Sequence, residues 1–266
     1  MCIRDRAKPR EDPWGLSRGS IRPTPFASSD GLGSPDLYTL MPDPVQQILA
    51  PDQMAAIRAT ISQGRFGTYF KAAGHDEARA LALYLWNAKV GEAFHIPIQA
   101  VEVGLRNSVS NALAREYTPN WWECSNLDSL LDEERKGDLA MVLRRIRNRK
   151  LELYVDQVVA GLSLGFWVGM LDGRYNPPIW SKQLRAAFPH FPTQRGRKSL
   201  FMEAGKVATL RNRIWHHEPL IARDISNDFK VVMQLLEWIC PTKAAWIRPY
   251  CRIPQILRQK PKPATP

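Results

Sequence analysis

From about residue 51 onward, apolar side chains recur every three to four positions, the spacing of amphipathic helices. Asp76 is placed to cap a helix carrying Ala80, Leu83, Tyr84, Trp86, Asn87 and Val90, which Pro97 then bends or restarts. Directly after it, Ile98, Val101, Leu105, Val109 and Ala112 form a buried stripe that predicts a core helix, closed by Thr118, Pro119 and Asn120. A charged helix is predicted over residues 127 to 151, with Arg144, Arg145, Arg147, Arg149 and Lys150 near its C-terminal end, where positive charge suits the helix dipole. A glycine-spaced aromatic stretch follows over residues 162 to 171, and Asp172-Gly173 turns the chain. A short helix near residues 180 to 188 ends at Pro189. A longer one begins after Arg195-Gly196-Arg197-Lys198 and ends near His217 or Glu218, with Pro219 marking its boundary. The last helix covers about residues 221 to 239, with Ile225, Phe229, Val232, Leu236 and Ile239 on one face. No alternating β-branched run is long enough for a sheet and no repeat is present, so the predicted fold class is all-α.

Both ends depart from this pattern. The first 44 residues hold seven prolines, four glycines and five serines without apolar periodicity, and burial there cannot offset the entropy of ordering. Disorder is expected for residues 1 to 44, and the opening Met1-Cys2-Ile3-Arg4-Asp5-Arg6 resembles translated adapter sequence. Residues 45 to 240 read as one helical domain. Residues 241 to 266 carry Lys243, Arg248, Arg252, Arg258, Lys260 and Lys262 with no acid, and read as a basic, proline-rich tail.

Composition narrows the function. The chain has 266 residues, enough for one sizeable core or two small ones, and 44% of them are hydrophobic. Its formal net charge of +11 is uneven: the first 44 residues balance, the last 26 hold +6, and the body keeps about +5. Such a chain attracts polyanions, RNA among them, although a solvated basic surface without a specific partner accounts for the charge equally well. No apolar stretch approaches the roughly 18 to 20 residues that cross a bilayer, and no signal-peptide core follows the N-terminal cations, so a cytoplasmic address without membrane association is expected. Cys2, Cys124, Cys240 and Cys251 lack metal-ligand spacing, and neither zinc nor a disulfide framework is read.

The chemistry concentrates in Arg211-Asn212-Arg213-Ile214-Trp215-His216. Cutting RNA without a metal requires activation of a ribose 2′-hydroxyl, protonation of the departing 5′-oxygen and neutralisation of charge on the phosphate. Histidine suits the proton transfers, its unperturbed pKa being about 6.5. Arginine offers a permanently charged fork for two phosphate oxygens, and asparagine adds a neutral donor and acceptor. Asn212 and His216, four apart, share a helical face, whereas Arg211 and His216 differ by roughly 140°. A two-fold dimer that joins two such helices would complete the site from both copies, and a homodimer is expected. His217 rivals His216, since spacing does not exclude it. Adjacent histidines diverge on a helix, so no metal or other cofactor is implied. A second polar strip, Glu102, Arg106 and Asn107, reads either as a surface ion pair or as a brace for the Arg211 helix or a contact to RNA.

The string Leu210-Arg211-Asn212-Arg213-Ile214-Trp215-His216-His217-Glu218-Pro219-Leu220 closely resembles the C-terminal signature of Abi-like proteins, a branch of the HEPN superfamily. Three other strings resemble that family in its order: Ala82-Leu83-Tyr84-Leu85-Trp86-Asn87; Glu102-Val103-Gly104-Leu105-Arg106-Asn107 followed by Trp121-Trp122; and Leu164-Gly165-Phe166-Trp167. Together they cover roughly residues 55 to 235. The resemblance implies a HEPN-like helical bundle with additional N-terminal helices, usually dimeric, with metal-independent endoribonuclease activity and a role in abortive infection against phage. Arg211, Asn212 and His216 inherit the nuclease role by position, while Trp215 stands where such proteins often have a small residue. The alternative is a non-catalytic RNA-binding or interaction protein that assembles with an antitoxin, a guide RNA or a phage-derived trigger. The cluster Arg144, Arg145, Arg147, Arg149 and Lys150 suits RNA binding in either case. Trp121, Trp122, Phe166 and Trp167 read as core rather than base-stacking residues.

Overall fold

The structure, a computed structural model, describes residues 49 to 263; the expectations for residues 1 to 44 lie outside them. Every regular element among the described residues is helical.

Three helices open the chain: α1 (Pro51–Ala59), α2 (Gln63–Ala72) and α3 (Glu77–Ala93). Pro51 opens α1, where a missing N–H costs nothing. Gly74, at φ +67°, ends α2 in the left-handed conformation that glycine adopts without a Cβ clash. Asp76 caps α3 as expected, accepting from the Arg79 N–H at 3.0 Å. Ile61, Phe66, Tyr69, Ala73, Ala80, Leu81 and Leu83 form a small satellite core between these helices.

Phe94 separates α3 from α4 (His95–Glu116), so the helix restarts two residues before Pro97. The stripe of α4 is buried as its spacing requires, with Ile98, Val101, Leu105, Val109 and Ala112 all fully enclosed. A 3-10 turn at Trp121–Glu123 then leads to α5 (Ser125–Asp128) and α6 (Glu133–Asn148). The single helix expected over residues 127 to 151 is therefore two. Asp132 caps α6 by accepting from the Arg135 N–H at 2.9 Å, and this competes with continuation of the preceding turn.

The stretch from residue 155 folds into α7 (Val155–Gly161) and α8 (Leu164–Gly169), with Ser163 capping α8. A 3-10 turn, a π turn at Asn176–Trp180 and α9 (Ser181–Ala187) follow. α10 (Arg197–Trp215) and α11 (Ile225–Ile239) are the two long C-terminal helices. α11 is the hub, packing on α4 and α10. It approaches α4 closely at Gly104, where a Cβ would stand 3.0 Å from Ile239 Cγ2.

Residues 241 to 258 do not form a tail. α12 (Pro241–Ile247) and α13 (Ile253–Arg258) pack on the body, burying Ala244, Ile247, Cys251, Ile253 and Ile256. The Trp86 indole donates to the Ile256 carbonyl at 2.8 Å, and the Lys260 ammonium lies 5.1 Å from the Trp86 ring centre. Pro241, Pro249 and Pro254 occupy first-turn positions, where they start helices instead of breaking them.

Trp121, Trp122, Phe166 and Trp167 are core. Trp121 stacks on Phe166 at 6.4 Å and meets Trp167 edge-on at 5.9 Å, while its indole donates to Ser110 Oγ at 3.1 Å. No helix among the described residues is long and apolar enough to cross a membrane.

Candidate functional site

The last two turns of α10 carry the Arg-Asn-His strip. Leu210 anchors them in the core, and Asn87 holds the segment that follows: its buried amide donates to the Glu218 carbonyl at 3.3 Å and accepts from the Leu220 N–H at 2.6 Å. That pair of bonds ties α3 to the end of the strip, so Asn87 matters for its position although it lies far away in the chain.

Arg211 faces α4. Its Nε lies 3.5 Å from Glu102 Oε2, and the two side chains keep only 28% and 23% of their surface exposed. This is a close ion pair without hydrogen-bond geometry, since Nε is buried and has no hydrogen-bond partner. The guanidinium also lies against the Trp215 ring, 4.9 Å from its centre. Trp215 in turn stacks on His95 at 6.0 Å and 16°, so a polar and aromatic row crosses from the last turns of α10 to the first turns of α4. His95 and Glu102 are seven apart, two helical turns, which puts them on one face of α4.

Asn212 and His216 are exposed and share the neighbouring face of α10. Neither side chain makes a hydrogen bond to another described residue. Arg211 is thus directed towards Glu102 and Trp215, and the structure does not gather it with Asn212 and His216 on one surface of a single copy. The Arg65 guanidinium reaches the end of the strip from α2, donating to the His216 carbonyl at 3.4 Å.

His216 and His217 occupy different conformations. His216 is the C-cap of α10, with ordinary backbone angles. His217 lies at φ +54°, the left-handed position of a helix stop. Its N–H donates to the Ile214 carbonyl at 3.0 Å, and the Glu218 N–H to the Arg213 carbonyl at 2.8 Å. A residue with a Cβ costs roughly 1 to 2 kcal/mol in that conformation. His217→Gly is therefore expected to raise stability by about 1 kcal/mol, read as a higher midpoint in urea unfolding; a lower midpoint would mean that the imidazole itself holds the helix end.

Of the second strip, Glu102 pairs with Arg211 and not with Arg106. The brace reading of Glu102 is the one its contact supports. Arg106 is half-buried with its Nε lacking a hydrogen-bond partner, and Asn107 is exposed. Arg144, Arg145, Arg147, Arg149 and Lys150 are all exposed at the end of α6, and none forms an ion pair with a described residue. Arg144, Arg145 and Arg149 line a shallow groove with Met141 and Asn148. Among the described residues no group of three or more His, Cys, Asp or Glu side chains converges as a metal site would require.

Sequence reading missed His95 and Arg65. The heptad spacing of His95 and Glu102 carried a signal for the first, whereas nothing local pointed to Arg65. Compared with protein-family models, curated proteins and solved structures, the chain matches none.

Proposed function

We propose that this chain is a metal-independent endoribonuclease of the Abi-like branch of the HEPN superfamily, acting as a homodimer in abortive infection against phage. One observation carries the reading. An imidazole and an amide stand exposed and unengaged four residues apart at the end of α10, beside a guanidinium held by Glu102 and Trp215.

Held this way, Arg211 is pre-set for a phosphate. Its ion pair and stack restrict the side chain, and its terminal nitrogens have no hydrogen-bond partner among the described residues. His216 has the freedom and exposure needed to exchange a proton with RNA. In the reaction the ribose 2′-oxygen attacks the adjacent phosphorus, its proton passing to one imidazole. The bond from phosphorus to the 5′-oxygen breaks, and that oxygen takes a proton from a second, protonated imidazole. The products are a 2′,3′-cyclic phosphate and a free 5′-hydroxyl, with no water consumed. A two-fold dimer supplies the two His216 side chains that this sequence of transfers needs, and brings one copy's Arg211 within reach of the other's His216.

The test is cleavage of RNA by purified protein in excess chelator, with the fragment ends mapped. Cyclic phosphate ends are expected, and a 2′-deoxy nucleotide at the cut position should block the cut. RNA bound without being cut would assign the chain to the non-catalytic alternative, an RNA-binding partner of an antitoxin, guide RNA or phage-derived trigger.

The α6 cations supply phosphate contacts in either case. Replacing Arg145 and Arg149 with alanine should make the dependence of log affinity on log salt shallower by about 1.4, since each neutralised phosphate of a single strand contributes about 0.7. An unchanged slope would place the RNA elsewhere.

A further inference from the structure

Two tryptophans among the described residues are exposed: Trp246 on α12, with 67% of its surface open, and Trp215, with 40%, whereas Trp86, Trp121, Trp122, Trp167, Trp180 and Trp238 are buried. Of the two, only Trp215 has both a cation and a second ring against it. Burial of the indole therefore does not account for a tryptophan at this position. What holds it is the Arg211 guanidinium at 4.9 Å and the near-parallel ring of His95 at 6.0 Å. His95 is itself exposed, and neither ring reaches into the core. The result is a pair of near-parallel rings open to solvent, one residue from His216 and in contact with the arginine assigned to phosphate.

We infer that Trp215 and His95 form a subsite for one unpaired RNA base next to the scissile phosphate. This rests on the nuclease reading of the same strip. A nucleotide presents a π face and an anionic phosphate close together, and here a guanidinium lies over an indole ring that keeps 40% of its surface open. Stacking requires the base to be out of a duplex, so the subsite selects single strands and loops. It tolerates any base, because every base has a π face. The cation against the ring strengthens the arrangement, as the guanidinium is attracted by the indole face before RNA arrives. Trp215 and His95 contact the base of the substrate and take no part in the proton transfers.

The test uses the full chain and a single-stranded RNA made uncleavable by 2′-O-methyl groups, with each nucleotide in turn made abasic. Binding is read by fluorescence anisotropy. One abasic position should weaken binding to the wild type roughly tenfold. Trp215→Leu should bind the intact RNA roughly tenfold more weakly and lose nothing further at that abasic position. Trp215→Phe, which keeps a ring, should retain most of the affinity. With cleavable RNA the expected effect of Trp215→Leu is on KM; a fall confined to kcat would mean that the indole only steadies Arg211, and would overturn the subsite. Equal abasic losses in wild type and Trp215→Leu would also overturn it while leaving RNA binding intact. Failure of the wild type to bind any RNA would instead remove the nuclease reading, and the subsite with it. If Trp215→Leu does not fold, as judged by circular dichroism, His95→Ala takes its place in the same cycle.

Discussion

His216→Ala is expected to lower RNA cleavage about thousandfold while leaving the folded state unchanged. The imidazole is exposed and makes no hydrogen bond to a described residue, so its removal leaves no buried group unpaired. The contacts that end α10 at this residue belong to the backbone: the His216 N–H donates to the Asn212 carbonyl at 2.9 Å, and the His216 carbonyl accepts from Arg65. Alanine preserves both. A thermal midpoint within a degree or two of wild type, together with the lost activity, would separate a chemical from a structural role. His217→Ala is the necessary companion. It keeps the left-handed strain and removes the second imidazole, and is expected to cut RNA at close to the wild-type rate. If the loss of cleavage follows His217 instead, the chemistry belongs to the residue held at φ +54°, and that strain serves the site.

Trp167→Ala is expected to cost about 3 to 5 kcal/mol, because a fully buried indole leaves a cavity that the surrounding rings cannot fill. For a body of this size that corresponds to a thermal midpoint lower by roughly 10 °C. Trp121 and Phe166 meet Trp167 edge-on at 5.9 and 5.0 Å, and each of these contacts is lost at once. Trp167→Phe should be far milder, about 1 kcal/mol. The indole N–H of Trp167 is buried without a hydrogen-bond partner, so its removal offsets part of the lost volume. A phenylalanine variant as unstable as the alanine one would show that ring size dominates. Neither variant should alter RNA binding at temperatures where it stays folded, since Trp167 has no exposed face to offer a base.

Local signals in this chain were strong where they depended on neighbours within one helical turn. Asp76 announced the start of α3, the stripe from Ile98 to Ala112 announced the buried face of α4, and the proline after Glu218 marked the end of the strip helix. The same kind of reading misjudged two places. Asp132 falls inside the helix predicted over residues 127 to 151, although its carboxylate accepts from the Arg135 N–H and starts a new one. The basic, proline-rich composition after residue 240 reads as a tail, yet Ile247, Ile253 and Ile256 join the core.

By itself, then, the sequence determined the all-α class, the start of α3, the ends of α10 and α11, the buried faces of the long helices and the location of the Arg-Asn-His strip, because periodicity and capping act over about four residues. It also determined that Arg211 and His216 lie on different sides of their helix. Only the tertiary structure decided where Arg211 goes. Its partner Glu102, and the His95 ring that stacks on Trp215, are more than a hundred residues away in the chain. Such pairs are set by how α4 and α10 settle around α11, which depends on packing of the whole core and leaves no signature within any single segment. The difference between His216 and His217 was settled the same way, by the backbone turn that the chain takes to bring Leu220 into the core.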